Sequence, residues 1–223
     1  MSGFSSENDS YYGSNHYSIQ INSQQFTTTY NGVATTGWEQ FVFRNTPGSG
    51  GTVFIEYWLV DFYNDHGFCP SGYVPGTTNH SWNNYQNTDC WGDSNYTNTP
   101  VENPSNLNNY HFGGYANFLS SGNDVATFCL TGGSCYSVSM PDTTLSLYQN
   151  WQVSEVNVFG YGDGYQANFN SGTYINITVT MATGSNTWFT PGSVYTSYSA
   201  ETNNLNLGSF SPVYGQYSFN ESL

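Results

Sequence analysis

WEQFVFRNTPGSGGTVFIEYWLV, residues 38–60, sets two runs rich in Trp, Phe, Val, Ile and Tyr on either side of a loop broken by Pro47 and three glycines. Aromatic and β-branched side chains suit a pleated surface, and the Pro-Gly break suits a reversal of direction. The stretch therefore predicts an antiparallel hairpin, with strands at Trp38–Phe43 and Thr52–Val60 closed by RNTPGSGG. Side chains alternate across a strand, so Glu39 and Gln40 must point to opposite faces and at most one of them joins a given site.

Upstream of the hairpin, HYSIQINS (16–23) and QFTTTY (25–30) alternate with the period of exposed strands, after a polar lead-in over residues 1–15. Downstream, residues 61–109 lose all periodicity and fill with Asn, Pro, Gly and His, which predicts a long loop region tied by a disulfide. Strand patterns return in YHFGGYANFL (110–119), DVATFCL (124–130), CYSVSM (135–140), WQVSEVNVF (151–159) and TYINITVTMA (173–182). TTLSLYQN (143–150) reads as a short helical turn or an edge strand, and VYTSYSA (194–200) and VYGQYSF (213–219) as edge strands of the tail. Amphipathic helix patterns are absent. The expected architecture is all-β, one antiparallel two-sheet β-sandwich over residues 16–223.

Charge narrows the setting. The chain carries one arginine, Arg44, no lysine and fifteen carboxylates, for a formal charge of −14 at pH 7. In strong acid the carboxylates take up protons and the self-repulsion that unfolds most proteins there is largely missing, so an acid-tolerant extracellular protein is expected. Nucleic acid is excluded as a partner, because phosphate neutralisation needs clustered Lys and Arg. An aromatic content of 18% argues against disorder. The longest apolar run, VFIEYWLV, is short and interrupted by Glu56, so no membrane span is expected. A secreted form requires a leader outside this sequence, with Met1 then an expression start.

Four cysteines form an even set, and FCLTGGSCY places two of them at the ends of an apparent hairpin. The expected bridges are Cys129 with Cys135 and Cys69 with Cys90. Asn8, Asn79, Asn95, Asn176 and Asn220 head Asn-X-Ser/Thr acceptors for glycosylation.

The usual catalytic sets are missing. There is no GxSxG or HExxH, and His16, His66, His80 and His111 are scattered, so neither a metal nor another cofactor is expected. Carboxylates inside apolar strands are better candidates, because a charge there costs free energy unless it is paired or used. Glu39, Glu56 and Glu155 meet that description.

SEVNVFGYGDGYQANFNSGTYINITVT (154–180) resembles the signature of the glutamic peptidases, the eqolisins, and WEQFVF followed by FIEYWLVDF is similar to their glutamine segment and its Tyr-Glu-Trp-Tyr run. The resemblance implies Gln40 and Glu155 as the catalytic pair, with Glu56, Trp58 and Trp38 contacting substrate. Phe159 stands where the family has a second glutamate, and Val156 and Asn157 replace its tryptophan and isoleucine. The implied protein is a monomeric acid endopeptidase acting on polypeptides, built as a concanavalin-like jelly roll.

Two other readings stand beside this one. A lectin-like module would bind glycan through Trp82, Asn83, Tyr85, Asp89 and Trp91, with Asp163 in GYGDG as a calcium ligand. A glycosylated surface or filament subunit would assemble through its edge-like terminal strands.

Overall fold

The computed structural model describes residues 6–72, 81–117, 122–162, 164–180 and 202–223. Its elements are almost all strands, and among the described residues the two α-helices are single turns, Phe62–His66 and Leu147–Asn150. The second of these, with a 3-10 turn at Asp142–Thr144, resolves TTLSLYQN as helical turns rather than an edge.

The quoted hairpin is the spine of the largest sheet. Its strands run further than the apolar runs, Val33–Thr46 and Gly50–Val60, in register from Thr36↔Val60 to Thr46↔Gly50. The loop between them is only Pro47, Gly48 and Ser49; Gly48 takes a φ of 81°, a left-handed turn position where a Cβ is unfavourable. Around the spine the order is Ser154–Phe159, Tyr17–Ser23, Val33–Thr46, Gly50–Val60, Asp89–Asp93 and Asn83–Tyr85; Phe26–Tyr30 also pairs with Val33–Thr46, and Thr97–Thr99 with Gly50–Val60.

One face of this sheet is covered by an antiparallel sheet of Tyr110–Tyr115, Asn123–Leu130 and Cys135–Pro141. Phe43 stacks on Phe128 at 4.0 Å between ring centroids, and Phe41 on Trp151 at 5.3 Å. Phe41, Phe43, Val53, Ile55, Tyr57 and Leu59 are all fully buried on that side. Two smaller sheets complete the described residues. One orders Thr202–Asn203, Gln166–Phe169, Glu7–Asp9 and Gly13–Ser14, and the other Tyr174–Thr180, Gln216–Ser222 and Asn206–Val213. Among the described residues pairing is antiparallel except between Gln166–Phe169 and Thr202–Asn203.

Three expectations differ from what forms. Tyr17–Ser23 is an interior strand with six of its seven residues buried, because both neighbours are long strands and its polar side chains bond to one another instead of to water. Residues 61–109 are not a bare loop: among the described residues a helical turn, three short strands and a 3-10 turn lie within them. These strands are three to five residues long and rich in Asn, Asp and Gly, too brief to show alternation. The lead-in contains Glu7–Asp9, whose two carboxylates are buried beside Gln166–Phe169. VYTSYSA lies outside the described residues.

Both expected disulfides are present, Cys69–Cys90 and Cys129–Cys135. Among the described residues no helix is long and apolar enough to cross a membrane.

Candidate functional site

Register decides which polar side chains share a face. Glu155 is opposite Asn22, Asn22 opposite Gln40, Gln40 opposite Glu56, and Glu56 opposite Asp93. Directly opposed residues point the same way, so these five form one polar row across five strands, on the face away from the Phe43–Phe128 core. Two residues along, Trp38, Trp58 and Trp91 form a parallel aromatic row, with ring centroids 5.8 Å and 6.3 Å apart, and Tyr85 meets Trp58 edge-on at 5.3 Å.

Above these rows opens a cavity of about 370 Å³. Its floor is Gln20, Gln40, Glu56 and Asp93 with the tryptophans, and its far wall is Arg44, Phe54 and Tyr96. Tyr12, Tyr161, Gly162 and Gly164 close one side. Asp9 holds that side in place by accepting hydrogen bonds from the backbone N–H groups of Tyr11, Tyr12 and Tyr161 at 2.7–2.8 Å.

A one-directional chain of hydrogen bonds orients the floor. The indole Nε1 of Trp58 is a donor only. It donates to Gln40 Oε1 at 2.9 Å and to Glu56 Oε1 at 2.8 Å, which turns the amide nitrogen of Gln40 away from Glu56. Gln40 Nε2 then donates to Gln20 Oε1 at 3.1 Å, Gln20 Nε2 to Ser18 Oγ at 2.8 Å, and Ser18 Oγ to the Gly160 carbonyl at 2.8 Å. Asn22 Nδ2 donates both to Gln20 Oε1 at 3.0 Å and to Glu155 Oε2 at 3.1 Å. Gln20, Asn22 and Gln40 are buried, a cost that these bonds offset in part, since Asn22 Oδ1 is buried with no partner among the described residues.

Gln40 and Glu155 therefore share a face but are not in contact. The Tyr17–Ser23 strand stands between them, and Gln20 and Asn22 bridge the gap. Glu155 is half-buried on the outermost strand, beside the cavity rather than in its lining, whereas Glu56, Trp58 and Trp38 line it. Glu39 points the other way and is fully buried among Asp124, Asp142 and Tyr57. Burial and the neighbouring carboxylates push its pKa well up.

Of the residues expected to contact glycan, Tyr85, Asp89 and Trp91 line the cavity, Asn83 is exposed, and Trp82 is buried against Tyr30 at 5.1 Å as an anchor for its loop. Asp163, His80 and Asn79 lie outside the described residues. Asn8 and Asn176 are exposed, and Asn95 and Asn220 half-buried. Among the described residues no three His, Cys, Asp or Glu side chains are placed to hold a metal ion. Sequence reading passed over Asn22, Gln20, Asp93 and Arg44 as site residues; the polar alternation of SIQIN was the available sign for the first two.

Comparison with models of known protein families, with curated proteins and with solved structures finds no match.

Proposed function

We propose that the chain is an acid-acting glutamic-type endopeptidase that works outside the cell, with Gln40 and Glu155 as its catalytic pair and a jelly-roll sandwich as its frame. The observation that carries this reading is the locked orientation of Gln40. Trp58 fixes the amide oxygen on the side of Glu56, so the Nε2 donors face the side on which Glu155 stands. A peptide carbonyl seated over Gln20 and Asn22 would meet the second amide N–H of Gln40, both N–H groups of Asn22 being given to Gln20 and Glu155, and a water held on Glu155 would approach its carbon.

In this reaction Glu155 takes a proton from the water as its oxygen bonds to the carbonyl carbon, and the second amide N–H of Gln40 stabilises the negative charge that develops on the carbonyl oxygen. The C–N bond then breaks as Glu155 returns the proton to the leaving nitrogen. Disulfides at Cys69–Cys90 and Cys129–Cys135 support an oxidising compartment.

The test is hydrolysis of an acid-denatured protein between pH 2 and pH 5, with E155Q and Q40A as variants. Positioned acid–base groups contribute about 10²- to 10⁴-fold, so E155Q should lose at least about 100-fold in kcat. Equal cleavage by E155Q would end the assignment. A second reading, glycan binding, is favoured by the row of Trp38, Trp58 and Trp91 beside polar amides. Retention of oligosaccharides on a glycan array, with no peptide cleavage, would decide for it.

A further inference from the structure

Arg44 is the only Lys or Arg in 223 residues, and it stands in the cavity wall. Its position follows from the hairpin: Trp38, Gln40, Val42 and Arg44 alternate onto one face of the Val33–Thr46 strand, with Arg44 four positions beyond Gln40. The guanidinium lies over three rings, 4.9 Å from the centroid of Tyr161, 5.1 Å from Phe54 and 5.9 Å from Tyr96. Rings of this kind hold a cation by their negative faces without neutralising it.

The partners Arg44 lacks are as informative as those it has. The chain has fifteen carboxylates, yet none of those described forms an ion pair with Arg44. Its Nε is buried and has no hydrogen-bond acceptor among the described residues. Asp93 is turned to Tyr96, which donates to its Oδ2 at 2.5 Å, and Glu56 is turned to Trp58. A buried donor without an acceptor costs free energy, and a planar guanidinium presents a fork that matches a carboxylate. The remaining charged residues of the lining among the described residues, Glu56, Asp89 and Asp93, are all acidic. One fixed cation in an otherwise acidic cavity selects for the sign of what enters.

The geometry points to Arg44 as a specificity residue that receives an ionised carboxylate of a polypeptide substrate, an acidic side chain or a free C-terminus, about four residues from the bond that is cut. The spacing comes from an extended chain laid along the Val33–Thr46 strand, where both substrate and strand rise about 3.3 Å per residue, so Arg44 lies roughly 13 Å beyond Gln40. This inference rests on the peptidase reading for the cut bond, but the carboxylate subsite can be read without any cleavage.

The experiment measures binding of decapeptides that differ only as Glu or Gln at one position, scanned along the peptide, using the fluorescence of the cavity tryptophans at pH 5 and low salt. Wild-type protein should bind the best Glu peptide on the order of tenfold more tightly than its Gln partner, the discrimination a charge-assisted hydrogen bond gives. R44Q should bring the ratio close to one, R44K should keep part of it, and about 0.5 M NaCl should shrink it. A ratio near one in wild type, or a ratio unchanged in R44Q with its melting temperature preserved, overturns the inference. Tighter binding of an oligouronate than of any peptide overturns the polypeptide occupant. Arg44-dependent Glu preference without cleavage keeps the subsite and removes the peptidase reading; cleavage indifferent to the carboxylate does the reverse.

Discussion

Glu39 and Gln40 are neighbours in sequence and opposites in chemistry. Gln40 joins the polar floor of the cavity, and Glu39 enters a dry space with Asp124 and Asp142. With all three ionised, Glu39 has no donor in reach among the described residues and Asp124 only the Asn117 backbone N–H, whereas a shared proton turns repulsion into a hydrogen bond. Burial, then Asp142, raises Asp124 to about 8, and Glu39 is raised well above the ordinary carboxylate range. The linkage has a definite sign: carboxyls raised in the folded state contribute stability that is present below about pH 4 and lost as pH rises through about 8. Asp124→Asn keeps the shape and removes the titration. It should change unfolding free energy by less than about 1 kcal/mol at pH 3 and stabilise by on the order of 2 kcal/mol at pH 7, read from denaturant melts at the two pH values. Equal effects at both would show that this trio does not titrate with folding.

At the scale of elements, the hairpin was legible because two long runs of aromatic and β-branched residues meet at a Pro-Gly turn. What could not be read was its company. Thr97–Thr99 packs onto Gly50–Val60 so closely that a Cβ on Gly51 would run into Thr99 Oγ1 and come within 2.7 Å of Phe43 Cε2. Gly51→Ala should therefore destabilise by about 1–3 kcal/mol, visible as a lower denaturant midpoint at unchanged slope. An unchanged midpoint would mean that the short strand simply lifts away. The candidate site was partly legible for the same kind of reason. Alternation assigns Gln40 and Glu39 to opposite faces, but HYSIQINS carries the same polar alternation whether its polar face meets water or other amides. Only the neighbours of Tyr17–Ser23 decide that Gln20 and Asn22 form the bridge between Gln40 and Glu155. Asp124 and Asp142 meet Glu39 across two sheets, a coincidence of packing that no local pattern encodes.

For the whole molecule, two electrostatic effects point the same way and differ in how salt acts on them. A formal charge of −14 at pH 7 repels itself across the surface, and ions screen that repulsion over a Debye length of about 10 Å at 0.1 M. Buried carboxyls are beyond such screening. Besides Asp124, Glu7 is raised to about 9 by burial and by Asp9, and Glu102 and Glu221 are raised by burial. The contributions of Asp124 and Glu7 are present below about pH 4 and lost as pH rises through about 8 and about 9, and those of Glu102 and Glu221 have the same sign. Melting temperature should thus be higher at pH 3 than at pH 7, by at least about 10 °C, the shift that several kcal/mol gives in a chain of this size. Adding about 0.5 M NaCl should raise the pH 7 value and leave the pH 3 value nearly unmoved, but recover only part of the gap, because the buried share does not respond to ions. Full recovery in salt would place the pH dependence on the surface alone, and a higher melting temperature at pH 7 than at pH 3 would refute an acid-adapted fold.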